Sequence, residues 1–111
     1  MLNILILDDE EYIAKLISKL ALKKGHNVQI ADNFNSAYEL IKRDSLFDYV
    51  FIDYNIEKNE LNNLTEFIKS KNKNCQVIIM SGLTEQEISE SIKYDKFIFK
   101  PDLVDIINKI L

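Results

Sequence analysis

Five short stretches of the chain are apolar nearly throughout: residues 2–7, 28–31, 49–52, 77–80 and 97–99. Each is rich in Ile, Leu, Val or Phe and does not alternate with polar residues. Such runs suit strands covered on both faces, as in a parallel sheet. Between them the apolar positions change to helical spacing. Ile13, Leu16, Ile17 and Leu20 form one stripe, with Lys15, Lys19 and Lys23 elsewhere on the wheel. Gly25 follows Lys23 and Lys24, a basic last turn closed by a left-handed cap.

The later stretches read the same way. Ala37, Tyr38 and Ile41 predict a second, shorter helix, and Leu61, Leu64, Phe67 and Ile68 a third. Thr84 followed by Glu87 reads as a capping box opening a fourth, with Ile88 and Ile92 inside it. Pro101 suits the first turn of a fifth, carrying Leu103, Ile106, Ile107 and Ile110. Strand and helix thus alternate five times. Right-handed crossovers then give an α/β fold, a flavodoxin-like (βα)5 doubly wound parallel sheet with strand order 2-1-3-4-5. Residues 1–111 make one domain, and no fused output domain is expected in this chain.

Composition narrows the class without supplying a function. The chain is 47% hydrophobic and 29% charged, with two glycines and one proline, the balance of a folded soluble protein. Eighteen acids oppose fourteen bases, and Arg43 is the only arginine. So few guanidinium forks argue against direct nucleic-acid binding. A single Cys75 excludes an internal disulfide and a cysteine zinc site. No apolar stretch approaches the roughly 20 residues of a membrane span, and the N-terminus lacks a signal-peptide pattern. A cytoplasmic location and no membrane contact are expected. His26 reads as a solvated turn residue, and Cys75 as an inert entry to the fourth strand.

The chemistry lies immediately after the strands. In an open parallel sheet, ligands bind outside the carboxyl ends at the switch point, here between strands 1 and 3. Strand 1 is followed by Asp8 and Asp9, strand 3 by Asp53, strand 4 by Ser81 and Gly82, and strand 5 by Lys100 and Pro101. Strands 1, 3, 4 and 5 are neighbours about 4.8 Å apart, so these groups converge on one edge. Each has an ordinary use alone: Asp8 or Asp9 as a helix cap, Asp53 or Ser81 as a turn former, Lys100 as a loop charge. Their coincidence at the right strand ends carries the signal. Three clustered carboxylates call for a cation, which Lys100 and a hard divalent ion such as Mg²⁺ would supply.

These residues resemble the receiver domain of two-component response regulators, over the whole chain. The motif residues are Asp8-Asp9, Asp53, Ser81 and Lys100-Pro101, at matching spacing. The resemblance implies that Asp53 accepts a phosphoryl group from a phosphohistidine on a sensor histidine kinase or a histidine phosphotransfer protein. It implies Mg²⁺ held by Asp8, Asp9, Asp53 and the main-chain carbonyl of Asn55, with Lys100 balancing charge. The Lys100–Pro101 bond is expected to be cis. The resemblance implies Ser81 and Phe97 as the switch positions, Phe97 reading otherwise as a core residue of the fifth strand, and a downstream target meeting the face of the fourth helix, fifth strand and fifth helix. A homodimer is compatible with this reading. No turnover of an external substrate is expected.

Departures bear on output more than on chemistry. Glu57 stands where the family usually has Pro, and Leu61 where a Gly commonly opens the third helix. The stretch from Ser81 to Lys100 is short, which predicts a short fourth helix. An apolar Leu83 could shield an aspartyl phosphate from water, predicting slow dephosphorylation. Two other readings share the fold. One is a receiver-like interaction module that makes no use of phosphorylation. The other is a small Mg²⁺-dependent phosphatase, which would want an acid where Asn55 stands.

Overall fold

The apolar runs form five strands in the computed structural model, which describes residues 1–43 and 46–111. They are β1 (Asn3–Leu7), β2 (Asn27–Ala31), β3 (Tyr49–Asp53), β4 (Gln76–Ser81) and β5 (Lys96–Phe99). All pairings are parallel, in the order β2-β1-β3-β4-β5. Leu7 lies beside Ala31 and Ile52, Asp53 beside Met80, and Ser81 beside Phe99. The register therefore brings the carboxyl ends of four strands to one edge. The doubly wound α/β architecture expected from the sequence is the one observed.

Among the described residues four α-helices cover the sheet: α1 (Glu11–Lys23), α2 (Phe34–Arg43), α3 (Leu61–Lys71) and α4 (Leu103–Ile110). Side-chain alternation along the strands sorts them between two layers. Leu5, Leu7, Val50, Ile52, Val77 and Ile79 pack under α2 and α3, against Ala37, Ile41, Leu64 and Ile68. Ile4, Ile6, Phe51, Ile78, Met80 and Ile98 pack under α1 and α4. The residues of α1 that bury completely are Ala14, Ile17 and Ala21, with Ile13, Leu16 and Leu20 flanking them. Small alanines let this helix approach the sheet closely.

Helix α1 ends as its sequence predicts. Gly25 adopts a left-handed φ of 84°. The Gly25 N–H donates to the Leu22 carbonyl at 3.0 Å and the His26 N–H to the Ala21 carbonyl at 3.1 Å. Those two bonds satisfy carbonyls that the last turn would otherwise leave open. His26 departs from its expected solvated role. It is half-buried, and its Nδ1 accepts the Leu2 N–H at 3.0 Å, tying the turn to β1.

The largest correction concerns the segment between β4 and β5. No α-helix forms there; Thr84 and Glu87 close a single 3-10 turn, Glu85–Glu87. The capping contacts exist, with the Thr84 N–H donating to Glu87 Oε1 at 3.0 Å, but the chain turns extended at Ile88. Only Ile88 and Ile92 could have formed an apolar stripe, fewer than a core-facing helix needs. Ser89 and Ser91 compete for the backbone as well, with the Ser91 N–H donating to Ser89 Oγ at 3.3 Å. Ile88 instead drops its side chain into the α2–α3 layer, where it is buried. The expected output face therefore lacks its first helix, and α4 is the C-terminal one.

A second correction concerns Lys100–Pro101, expected to be cis. No cis peptide bond occurs among the described residues. Pro101 sits at the start of a 3-10 turn, Lys100–Asp102, that leads into α4. Its fixed φ suits that position, and a trans bond is the intrinsic preference of an X–Pro link by about 0.5–1 kcal/mol.

Candidate functional site at the carboxyl edge of the sheet

Asp8 extends β1 by one residue, its N–H donating to the Ala31 carbonyl at 3.2 Å. Its Oδ1 accepts the Glu10 N–H at 2.8 Å, an Asx turn that reverses the chain into α1. Turn former and candidate site residue are thus the same side chain, using different oxygens. Asp8 Oδ2 is buried and has no hydrogen-bond partner among the described residues. Asp53, the last residue of β3, is 2% exposed, and its Oδ1 accepts the Asn55 N–H at 3.3 Å. Ser81, the last residue of β4, is fully buried, and its Oγ accepts the Leu83 N–H at 2.9 Å.

Lys100 follows β5 and reaches across the edge. Its Nζ lies 2.9 Å from Glu10 Oε1, 3.2 Å from Asp53 Oδ1 and 3.6 Å from Asp8 Oδ2. One ammonium therefore faces three carboxylates. Burial works against its charge, but the Glu10 hydrogen bond and the carboxylates of Asp53 and Asp8 outweigh that and hold its pKa above the ordinary value. Asp8 goes the other way. Burial, reinforced by the neighbouring Asp53, raises its carboxyl to about 6 against the opposing Glu10 N–H and Lys100. A single lysine does not fully compensate this cluster.

The structure brings Asp8, Asp53, Ser81 and Lys100 to the edge that the topology requires. One carboxylate oxygen each from Asp8, Glu10 and Asp53 lies within 4.8 Å of the others. Asp9, expected in this group, is exposed and lines a cleft with Ala31, Asp32 and Ser36 toward β2. Glu10 takes its place beside Lys100. Nothing in the sequence distinguishes Glu10 from an ordinary acid of a first helical turn; only Lys100 in three dimensions singles it out. Asn55 is exposed, with its main chain held against the Asp53 carboxylate. Phe97 is half-buried in the α2–α3 layer, its ring 6.2 Å from that of Tyr94. Leu83 is 37% exposed.

The donor set is all oxygen, and the orphaned Asp8 Oδ2 is the kind of buried acceptor a cation would satisfy. Hard divalent ions with a preference for carboxylate oxygens, Mg²⁺ above all, fit it.

Comparison with known proteins bears on the family and the fold. The family model described as the response regulator receiver domain matches residues 4–111. No curated protein matches the chain in sequence. Among solved structures, a response regulator from Thermotoga maritima superposes with a TM-score of 0.80 at 22% identity, covering 99% of this chain and 97% of that one. The chemotaxis response regulator CheY4 of Vibrio cholerae gives 0.81 at 19% identity, covering 100% and 99%. The response regulator TrrA of Thermotoga maritima, solved in complex with Mg²⁺-BeF, gives 0.76 at 21% identity and covers both chains completely.

Proposed function

The chain belongs to the response regulator receiver domain family, and we propose that it works as a phosphorylatable switch with Asp53 as the phosphoacceptor. The observation that carries this reading is the bridge from Lys100 to Asp53 Oδ1 and Asp8 Oδ2 at the switch point of the sheet. It supplies a buried carboxylate nucleophile and a fixed positive charge in one place.

In the proposed reaction a carboxylate oxygen of Asp53 attacks the phosphorus of a phosphohistidine. The new O–P bond forms as the P–N bond breaks, and its electron pair returns to the imidazole nitrogen of the donor. A sensor histidine kinase or a histidine phosphotransfer protein would present that group. The work of this chain is positioning and charge balance. Burial of Asp53 limits competing hydration, and Lys100 neutralises negative charge on the transferring oxygens. Asp8, Glu10 and Asp53 would hold Mg²⁺, with the Asn55 carbonyl completing the proposed set. When bound, the ion offsets phosphoryl charge that one lysine cannot. The Ser81 hydroxyl would turn from the Leu83 N–H to donate to a phosphoryl oxygen, and Phe97 would repack beside it. Turnover of an external phosphomonoester is not part of this reading, because Asn55 offers no general acid to protonate its leaving group.

Intact mass after incubation with acetyl phosphate and Mg²⁺ tests the reading. Wild type is expected to gain one phosphoryl group and Asp53→Ala none. Gain by both proteins would remove Asp53 from the role. No gain by either would favour the interaction module, and steady hydrolysis of a phosphomonoester would favour the phosphatase.

A further inference from the structure

The segment 84–95, which lacks the expected helix, is held by side chains of other elements. Ser89 N–H donates to the hydroxyl of Tyr54 at 3.2 Å. Asn62 of α3 donates to the Ser91 carbonyl at 2.8 Å and accepts the Lys93 N–H at 2.8 Å. Tyr94 donates to Glu85 within the segment at 2.6 Å, and Ile88 anchors it in the core. With one 3-10 turn and few backbone bonds of its own, its local stability rests on these tethers.

Tyr54 is unusual among them because it follows Asp53 directly. It is buried, and its N–H donates to the Met80 carbonyl at 2.8 Å. It lies within a turn whose hydrogen bonds both end on Asp53. The Asn55 N–H donates to Asp53 Oδ1 at 3.3 Å, and the Ile56 N–H to the Asp53 carbonyl at 3.2 Å. Oδ1 also carries the Lys100 contact. Converting the Asp53 carboxylate to an acyl phosphate redistributes the contacts of Oδ1, and Tyr54 sits inside the turn that Oδ1 and the Asp53 carbonyl hold.

We infer that the Tyr54 hydroxyl couples the state of Asp53 to the segment 84–95, phosphorylation loosening the Tyr54–Ser89 tether and freeing the segment. The inference rests on the proposed phosphoacceptor role and adds a route that bypasses Ser81 and Phe97. Tyr54 is a positioning residue here: it touches no reacting atom and acts through the backbone of its turn.

Hydrogen exchange of the full chain, read by peptide mass spectrometry with and without acetyl phosphate and Mg²⁺, tests it, with intact mass recorded on the same samples. In wild type, phosphorylation is expected to speed exchange in 84–95 roughly fivefold, the scale of one neutral hydrogen bond. Tyr54→Phe keeps the ring and is expected to take up phosphate equally, while exchange in 84–95 is fast in both states. Ser89→Pro removes the donor instead and is expected to behave the same, which covers failure of the first variant to fold. A phosphate-dependent difference retained in either variant, or absent from phosphorylated wild type, overturns the coupling and leaves Asp53 in place. A wild type that takes up no phosphate overturns both.

Discussion

At the scale of single residues, Asp8 carries the clearest tension between folding and site chemistry. Its Oδ1 closes the turn into α1, while burial and Asp53 lift its carboxyl to about 6 from an ordinary 3.8. A raised acid pKa means that the folded state binds the extra proton. The associated stability is therefore complete below about pH 4 and is lost as pH rises through 6. In metal-free buffer, Asp8→Asn is expected to be more stable than wild type at pH 7 by on the order of 1–3 kcal/mol. The gap should shrink as pH falls toward 4, measured by urea unfolding at each pH. An Asn variant less stable than wild type at pH 7 would show that Lys100 already compensates the charge. Asp8, Asp53, Ser81 and Lys100 were legible in the sequence because each stands at the carboxyl end of a strand whose position the topology dictates. Glu10 was not, since its role depends on the reach of a lysine 90 residues away.

At the scale of elements, the strands were readable because parallel strands buried on both faces leave an unbroken apolar signature. The segment between β4 and β5 misled, because a capping box is a local signal and the contacts that decide it are not. Tyr54 and Asn62, about 30 residues earlier, hold it, and Ile88 leaves the turn to enter the core. Ile88→Ala is expected to cost about 2–4 kcal/mol in chemical denaturation, the range for a buried aliphatic truncated to Ala. A cost near zero would mean that the segment is not anchored through this side chain. The β3–α3 connection has its own irregularity in Glu57, which adopts a left-handed φ of 44° where the family usually has Pro. Glu57→Gly is expected to stabilise the chain by about 0.5–1 kcal/mol, the left-handed penalty less the added freedom of glycine when unfolded. A loss of melting temperature would show that the Glu57 side chain contributes more than its backbone costs. The cis bond expected before Pro101 came from family resemblance alone; the 3-10 turn leading into α4 accommodates proline in trans.

At the scale of the molecule, the sheet sorts its residues by purpose. Its two faces are covered by α1 with α4 and by α2 with α3, and its carboxyl edge gathers the charged groups. The excess of acids over bases in the composition said little about this. What matters is that buried Asp8 and Asp53 meet Lys100 at the switch point, where strand order alone brings distant parts of the chain together. No helix among the described residues is long and apolar enough to cross a membrane. The most direct test of the central claim is the location of the phosphoryl group. The chain would be phosphorylated with acetyl phosphate and Mg²⁺, the acyl phosphate reduced with borohydride, and the modified residue identified by tandem mass spectrometry. The expected result is modification at Asp53 alone, lost when Mg²⁺ is removed. Modification at Asp8, Asp9 or His26 instead, or none in a folded chain, would contradict it.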